Sequence, residues 1–233
     1  VEAITGNVRV VGVDENRLSV KATQVVHMGS QGDPQATMAA IEALDLRVEE
    51  LAGRATIKGA VRDDLAALGC LYFRMDLAVT CPRTSPIRIY APNGHTYIEG
   101  FGEPVHVEQG EGTITVQHAK GPLDLTNRRG DVKVIECAGP ATMSAERGTV
   151  MSRLIYGKQV IQCTEGKTVI DEPRGELVVR QRGGDVRIIQ LDGVMGSYDV
   201  RVEGGDVSVL IPESADATIV ALARNGRIYT AIP

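Results

Sequence analysis

Apolar and polar residues alternate along most of the second half of the chain, and glycine interrupts the alternation at a fixed interval. Ten glycines, from Gly112 to Gly193, follow one another at intervals of nine residues. The second residue after the glycine is apolar in eight of the ten segments, and the fourth is apolar equally often. A period of two between glycine corners predicts short β-strands that each bury one face.

A segment of nine residues has room for about five strand residues and a corner. Two segments therefore make one flattened turn of 18 residues. The sequence predicts a two-sided β-solenoid, an all-β-dominated fold that rises roughly 4.8 Å per turn. Its inward residues should stack in two columns, one of Val132, Val150, Thr168 and Val186, and one of Leu123, Ala141, Gln159, Leu177 and Met195.

The tripeptide Arg129-Gly130-Asp131 occurs at one of these corners. Many extracellular proteins use the same tripeptide to engage integrins. Gly130 is a corner glycine of the repeat, and Asp131 follows it as Asp185 follows Gly184. The repeat favours a structural explanation, because short motifs recur by chance. A recognition site at an exposed corner is the alternative.

Towards its end the repeat takes a more specific form. Gly205-Asp206-Val207 is followed by Leu210-Ile211-Pro212 and by Asn225-Gly226-Arg227-Ile228. These elements resemble the bacterial adhesin-like family also catalogued as domain of unknown function 4097. The resemblance extends roughly over residues 92–233 and loosely over the first 30 residues. It implies a β-solenoid, often exported, with no assigned catalytic activity.

Residues 1–91 are assigned to N-terminal strands with a small α+β cap or insertion, whereas residues 92–233 are assigned to the β-solenoid. Asp33 and Pro34 are typical of the cap and the first position of a helix, which is predicted near 34–44. Met38, Ile41 and Leu44 would share one face of this helix. The region covers one end or edge of the solenoid, or it is a lateral insertion that leaves the ends open.

Three segments after this helix predict strands, with the sequences LRVEEL, ATIKGAVR and LYFRMDLAVTCP. In the last segment every second residue is apolar, which predicts one buried face. The residues of that face are Leu71, Phe73, Met75, Leu77, Val79 and Cys81.

Composition and charge narrow the range of partners. The 233 residues include no Trp, two Phe and six Tyr, so aliphatic residues must build the core. A formal net charge of −5 predicts no binding to nucleic acid. No apolar run is long enough to predict a transmembrane segment. The chain begins at Val1 without Met, which fits a mature chain after signal removal and favours secretion or the cell surface over the cytoplasm; an expressed fragment would look the same.

Cysteine and histidine positions give no catalytic or metal-binding pattern. Cys70, Cys81, Cys137 and Cys163 are spaced unfavourably for disulfides or a zinc site, so we expect buried thiols. No histidines have metal-ligand spacing, and no Ser, Cys or Thr lies in a nucleophile motif. The sequence predicts that the protein is not an enzyme and uses no cofactor.

One set of outward positions is unexpectedly apolar. The third residue after the glycine should face solvent, yet in four central segments it is Met151, Val160, Val169 or Val178. Either the strands slip by one residue, which would turn Val160 and Val169 inward, or the four residues form an outer surface that the cap or another subunit covers.

These patterns favour a non-catalytic structural or adhesin-like protein, exported or on the cell surface, that associates with itself as an oligomer or an extracellular fibre. Cell-surface or matrix components are further candidate partners. The alternative is a carbohydrate-binding or carbohydrate-processing β-helix, which would require a groove lined by aromatic residues and carboxylates.

Overall fold

The computed structural model describes residues 1–3, 5–29, 33–51, 54–61, 64–193, 196–212 and 219–231. Within these ranges the chain forms one α-helix and seventeen β-strands. The helix is α1 (Pro34–Ala43), and the strands are β1 (Val8–Val13), β2 (Ser19–Met28), β3 (Leu44–Leu51), β4 (Arg54–Val61), β5 (Cys70–Pro82), β6 (Ile87–Glu99), β7 (Val105–Gln117), β8 (Leu123–Arg129), β9 (Val132–Cys137), β10 (Ala141–Ile155), β11 (Gln159–Asp171), β12 (Leu177–Arg182), β13 (Val186–Ile189), β14 (Tyr198–Glu203), β15 (Val207–Leu210), β16 (Ile219–Arg224) and β17 (Ile228–Ala231).

Strands β6 to β17 wind into the predicted two-sided β-solenoid, with about seven turns of roughly 18 residues. Each strand segment pairs in parallel with its equivalent in the next turn, so that Ala141 aligns with Gln159 and Val150 with Thr168. The first face contains β8, β12, β14, β16 and the N-terminal halves of β6, β7, β10 and β11. The second face contains β9, β13, β15, β17 and the C-terminal halves of those long strands. The predicted fold class is confirmed.

The two predicted inward columns are present. The column from Val132 to Val186 is at most 1% exposed throughout. The other column runs from Leu123 to Leu177 and continues in Tyr198, because eight residues separate β13 from β14, against five between β11 and β12. Met195, the predicted next member, lies outside the described residues.

The corner glycines change position at the same point. The glycine that stacks on Gly175 is Gly196, whereas a Cβ atom at Gly193 would have no neighbour within 4 Å. The prediction that Gly193 is the corner glycine of the next segment is therefore wrong. The wider corner between β13 and β14 is the physical reason, since strand pairing and not residue count fixes which positions stack.

Glycine is required at the corner between the first and second faces because successive turns approach each other closely there. A Cβ atom at Gly130 would lie 1.9 Å from the carbonyl oxygen of Gly112, and φ of Gly130 is 121°. Neither condition tolerates a side chain. The regular interval of the corner glycines therefore follows from backbone contact between turns.

Two inward threonines are held by hydrogen bonds, whereas the buried side-chain amide of Gln159 and the hydroxyl of Ser152 have no hydrogen-bond partner among the described residues. The hydroxyl of Thr168 donates to Gln181 Oε1 at 2.6 Å, and Thr96 donates to Gln109 Oε1 in the same way at 2.7 Å. The amide of Gln181 also donates to the carbonyl of the corner residue Gly166 at 2.9 Å. These bonds satisfy buried polar groups, so the strands keep their register.

The N-terminal region continues both faces of the solenoid. On the second face, β1 pairs in parallel with β6 and β5, and β2 pairs antiparallel with β5. On the first face, Glu2 bridges β6 and β4, and β3 pairs antiparallel with β4. Helix α1 joins β2 to β3 and packs against both. These elements are the predicted α+β region, and its division from the solenoid at residue 91 stays a prediction.

Helix α1 begins as predicted, but its buried side agrees only in part with the predicted one. Asp33 caps it by accepting the N–H of Gln35 at 3.1 Å, and Pro34 is its first residue. The buried residues are Ala40 and Ala43, whereas Met38 is 56% exposed. Of the predicted residues Met38, Ile41 and Leu44, only Leu44 is buried, so the inclusion of Met38 is wrong; within the helix itself alanines supply the buried side chains.

Strand β5 buries the predicted face over most of its length. Met75, Leu77, Val79 and Cys81 are buried. Leu71 is 72% exposed, contrary to prediction, because the register between β2 and β5 shifts beside it. An added residue in one strand reverses the faces beyond it.

Candidate functional site

The tripeptide Arg129-Gly130-Asp131 is at a corner, and both of its charged groups are engaged within the chain. Arg129 Nη1 lies 2.7 Å from Glu111 Oε1 in the preceding turn. Asp131 Oδ1 accepts the backbone N–H of Thr149 in the following turn at 3.1 Å. The aspartates of the later Gly-Asp corners accept equivalent bonds. The tripeptide thus has a structural role that the repeat shares.

The predicted outer residues Met151, Val160, Val169 and Val178 point outward and are half-buried. Their polar neighbours in sequence stay buried, so the strands have not slipped. Met151 pairs with Val169 on the second face, whereas Val160 pairs with Val178 on the first face. The four residues therefore form two small pairs on opposite sides of the solenoid and not one continuous surface.

Charged side chains on the outer faces form ion pairs between successive turns, such as Arg147 with Glu165 at 3.0 Å. An arginine-rich groove near the C-terminal end is lined by Arg180, Arg182, Arg201, Glu203 and Arg224, among others. Arg180 donates to Asp199 at 2.6 Å and holds the pKa of that carboxyl below its usual range. The groove is thus a continuation of the ladders of paired charges.

Another groove, of about 390 Å³, lies on the outer side of the second face near β1 and β5. It is lined by Arg9, Asp76, His95 and Tyr97, among others. Asp76 accepts the backbone N–H of Asn7 at 2.8 Å, and the Arg9 guanidinium lies 4.6 Å from the centre of the Tyr97 ring. The groove combines an aromatic ring with a carboxylate, but these groups are occupied by contacts within the chain.

All four cysteines are buried and unpaired, in agreement with the prediction. Burial raises the pKa of the thiols of Cys81, Cys137 and Cys163. A raised pKa lowers the fraction of reactive thiolate. The described residues include no group of three or more His, Cys, Asp or Glu side chains arranged to hold a metal ion.

Within the described residues, the inward columns of the solenoid end at β16 and β17 in side chains that are exposed or only partly buried. Within the described ranges, β16 pairs only with β14 and β17 only with β15. Ile228 continues the column of Val186 and Val207, yet it is 45% exposed, whereas those two are at most 1% exposed. The outward side chains Val220 and Leu222 of β16 are also exposed. We call β16 and β17 the C-terminal edge.

The N-terminal end has a corresponding pair of strands. In the described part of the chain, β2 pairs only with β5 and β3 only with β4. Val48 of β3 lies opposite the buried Ile57, on the inward side, but is 48% exposed. We call β2 and β3 the N-terminal edge. Each edge offers strand hydrogen-bonding groups beside apolar side chains.

Besides the outer faces, the sequence predicts strand edges near Val1 and Pro233 as sites of association. The C-terminal edge lies near Pro233, as predicted, whereas the N-terminal edge is formed by β2 and β3 and not by the residues next to Val1, since Glu2 lies between β6 and β4. The alternation of β16 and β17 is visible in the sequence, but the nine-residue interval ends before β14. Counting from the central turns therefore could not place Ile228 in an inward column. For β3, only the pairing with β4 shows that Val48 lies on the inward face of the strand.

Within the described residues, no helix has the length and apolar character needed to cross a membrane. Comparisons with protein-family models, curated proteins and solved structures find no match. The resemblance to the bacterial adhesin-like family therefore stays a prediction.

Proposed function

We propose that this protein is a non-catalytic, adhesin-like structural β-solenoid that acts outside the cell or on its surface by associating with further copies of itself. The observation that carries the proposal is the exposure of Ile228 at the end of a column whose members from Leu77 to Val207 are all buried. A second copy placed on the C-terminal edge would remove that column from water. It would also provide hydrogen-bond partners for the backbone groups on the side of β16 and β17 that has no neighbouring strand in the described ranges.

Two physical effects support self-association. Removing apolar surface from water contributes about 25 cal/mol per Å², so covering Ile228 and its neighbours is favourable. An uncovered strand edge is also a template for pairing with another chain. Together they favour binding at the edge over binding at the two small outer pairs, Met151 with Val169 and Val160 with Val178, which lie on opposite faces.

A non-catalytic role is supported by the state of the reactive groups. The raised pKa values of the buried thiols disfavour nucleophilic cysteines. Among the histidines, His106 lies 2.9 Å from both Asp124 and Glu108 on an outer face, in the same pattern as the other charge ladders. Secretion and contact with surface or matrix components rest on the adhesin-like repeat alone.

Carbohydrate binding is the weaker candidate. The groove that contains Tyr97 and Asp76 is its best location, because sugars stack on aromatic rings and hydrogen-bond to carboxylates. Contacts with Arg9 and Asn7 occupy both groups. Binding of a glycan that Tyr97→Ala abolishes would favour this function over self-association.

Sedimentation velocity of the full chain over a micromolar concentration series tests the proposed function. We expect species larger than the monomer that increase with concentration, and we expect Ile228→Glu to remove them. Thr115→Glu adds the same charge at an outward position in the middle of the second face and is the matched control, which should assemble as the wild type does. A wild-type chain that sediments as a monomer throughout the series would contradict the proposal.

A further inference from the structure

We propose that the C-terminal edge of one copy binds the N-terminal edge of the next, head to tail, with β16 against β3 and β17 against β2. This inference rests on the proposed self-association and specifies its geometry. It follows from the direction of the edge strands, from the side chains that end each column, and from the charges at the two ends.

Strand direction is compatible on both faces at once. The solenoid strands of each face run parallel to one another, whereas β3 and β2 run antiparallel to their neighbours β4 and β5. Because β4 and β5 follow the direction of their own face, each outer strand is reversed. Translation along the solenoid axis would therefore bring β16 to β3 and β17 to β2 as two antiparallel pairs.

On the first face, the inward columns end in small residues at one end and larger ones at the other. Ala221 ends one inward column at the C-terminal edge, and successive strand pairs connect this column to Ile89 in β6. The bridges of Glu2 connect β6 to β4, so the column continues to Ile57 of β4 and ends at its partner Val48 of β3. The neighbouring column ends in Ala223 and Leu46. Stacking two copies in register would place Val48 and Leu46 over the two alanines.

The second face shows the reverse arrangement. The column of Ile228 leads to Val8, Leu77 and finally Ala22 of β2. In register, the large Ile228 of one copy would lie over the small Ala22 of the next. Ala22, Leu46, Ala221 and Ala223 are all partly buried and packed against the core, so they are exposed ends of that core.

The outward column beside it offers a second match. Tyr229 ends this column at the C-terminal edge and Lys21 ends it at the N-terminal edge. Within the chain, Arg9 and Tyr97 are adjacent members of the same column, and the guanidinium lies over the ring at 4.6 Å. Lys21 over Tyr229 would repeat this cation–aromatic contact between copies.

Charge favours contact between unlike ends over contact between like ends. The described last turn, 219–231, contains Arg224 and Arg227 and no acidic residue. The strands and helix of the N-terminal end, β2, α1 and β3, contain two basic and four acidic residues, the acidic ones being Glu42, Asp45, Glu49 and Glu50. Two C-terminal edges brought together would place arginines near arginines, which is unfavourable.

A contact between different surfaces does not close on itself unless a rotation makes it close. Head-to-tail binding therefore predicts assemblies that grow with concentration into fibres, or into rings if each copy is rotated relative to the last. A contact between two C-terminal edges would stop at a dimer.

Mixing two blocked variants tests the geometry. Ile228→Glu blocks the C-terminal edge and Val48→Glu blocks the N-terminal edge, and both positions are about half exposed in the single chain, which limits damage to the fold. We expect each variant alone to be monomeric by sedimentation at concentrations where the wild type assembles. We expect their equimolar mixture to form a dimer, because one intact edge of each kind is then present.

Each other outcome overturns the inference in a recognisable way. If the wild type assembles and Val48→Glu still dimerises while Ile228→Glu does not, two C-terminal edges bind each other. If both variants assemble like the wild type, an outer face is the interface, and the proposed self-association survives without this geometry. A monomeric wild type removes the proposed function itself.

A second pair of variants covers the case in which a blocked variant unfolds. Arg224→Glu and Asp45→Arg reverse two charges that this register places opposite each other, because Ala221 over Val48 and Ala223 over Leu46 put Arg224 over Asp45. Circular dichroism checks that each variant remains folded. We expect each to weaken assembly about tenfold and the mixture to recover it, as charge reversal and restoration across an interface do. Unchanged assembly in both variants would contradict the head-to-tail contact.

Discussion

The central and C-terminal turns of the solenoid follow the same strand ladder with different numbers of residues. Between β7 and β12 each turn has 18 residues, whereas Leu177 to Tyr198 and Val186 to Val207 are intervals of 21. The additional residues lie at the corner between β13 and β14. The comparison shows that hydrogen bonding and stacking between strands fix the turn, while a corner can vary in length.

The wider corner is filled by side chains that the central turns do not need. Gln190 is buried, and its Oε1 accepts the hydroxyl of Tyr198 at 3.1 Å. The Tyr198 hydroxyl also lies 3.3 Å from the carbonyl of Pro173. A bulky residue with a polar tip thus takes the place that smaller side chains hold in the narrower turns.

The largest expected difference between the central turns and the C-terminal end is in their tolerance of a buried charge. Val132→Glu should lower the free energy of unfolding by about 3–5 kcal/mol, because it places a carboxylate among aliphatic side chains. Ile228→Glu should cost less than about 1 kcal/mol in the monomer, because its carboxylate reaches water. Urea unfolding under monomeric conditions measures both, and equal losses would mean that the last column is as closed as the central ones.

Glycine substitutions separate the two kinds of corner. Gly130→Ala should destabilise by about 3 kcal/mol, because the new Cβ meets the Gly112 carbonyl and φ is positive. Gly193→Ala should cost about 1 kcal/mol, since it has positive φ but an open surrounding. Thermal and urea unfolding of both variants provide the comparison. A loss at Gly193 as large as that at Gly130 would show that close approach of turns is not what selects glycine.

The pH dependence of unfolding should reveal the burial of Tyr198 in the wider turn. Burial raises the pKa of Tyr198 to about 12, against about 10 in an unfolded chain. The folded chain therefore holds the proton to higher pH, and the resulting stability is present below pH about 10 and is lost as pH rises through about 12.

Tyr198→Phe should accordingly flatten the alkaline loss of stability. Urea midpoints measured from neutral to alkaline pH record the effect. Tyr72→Phe, which removes the hydroxyl of a half-exposed tyrosine in β5, is the matched control. The same alkaline slope in wild type and Tyr198→Phe would place the titration elsewhere.

The smallest expected effect distinguishes ion pairs of the central turns from those of the C-terminal groove. The pKa of Asp199 is lowered chiefly by its hydrogen bond to Arg180. The ionised carboxylate therefore stabilises the folded chain above the unfolded pKa, and this stabilisation is lost as pH falls through the lower folded pKa. Arg180→Gln should cost less than about 1 kcal/mol at neutral pH, and the difference should shrink in acid. Arg147→Gln, in a more exposed pair with Glu165, should cost less still.

The central turns were predictable from sequence because local pattern and tertiary contact coincide there. The corner glycine is both the sequence marker and the point where backbones touch, and alternation selects the inward residues between corners. Even polar Thr168 and Gln159 were placed correctly, since the column continues on either side of them.

The N-terminal region and the candidate site depend on long-range pairing that no local pattern reports. The side chains that α1 buries are alanines. They are smaller and less hydrophobic than Met38, so the sequence pattern favoured Met38 as part of the buried face. The exposed side chain of Leu71 follows from a register shift opposite β2, which the alternation of β5 does not show. An edge near Pro233 was predictable, but which strands form the N-terminal edge becomes visible only once the neighbours of β2 and β3 are known.

Hydrogen exchange of the strand edges tests the central claim most directly. Backbone amides of residues 219–231 should become protected as the concentration of the wild-type chain rises, together with those of 19–28 and 44–51. The central turns should show constant protection, and Ile228→Glu should show no dependence on concentration at either edge. Exchange at both edges that is independent of concentration, in a sample that sedimentation shows to be assembled, would contradict the account.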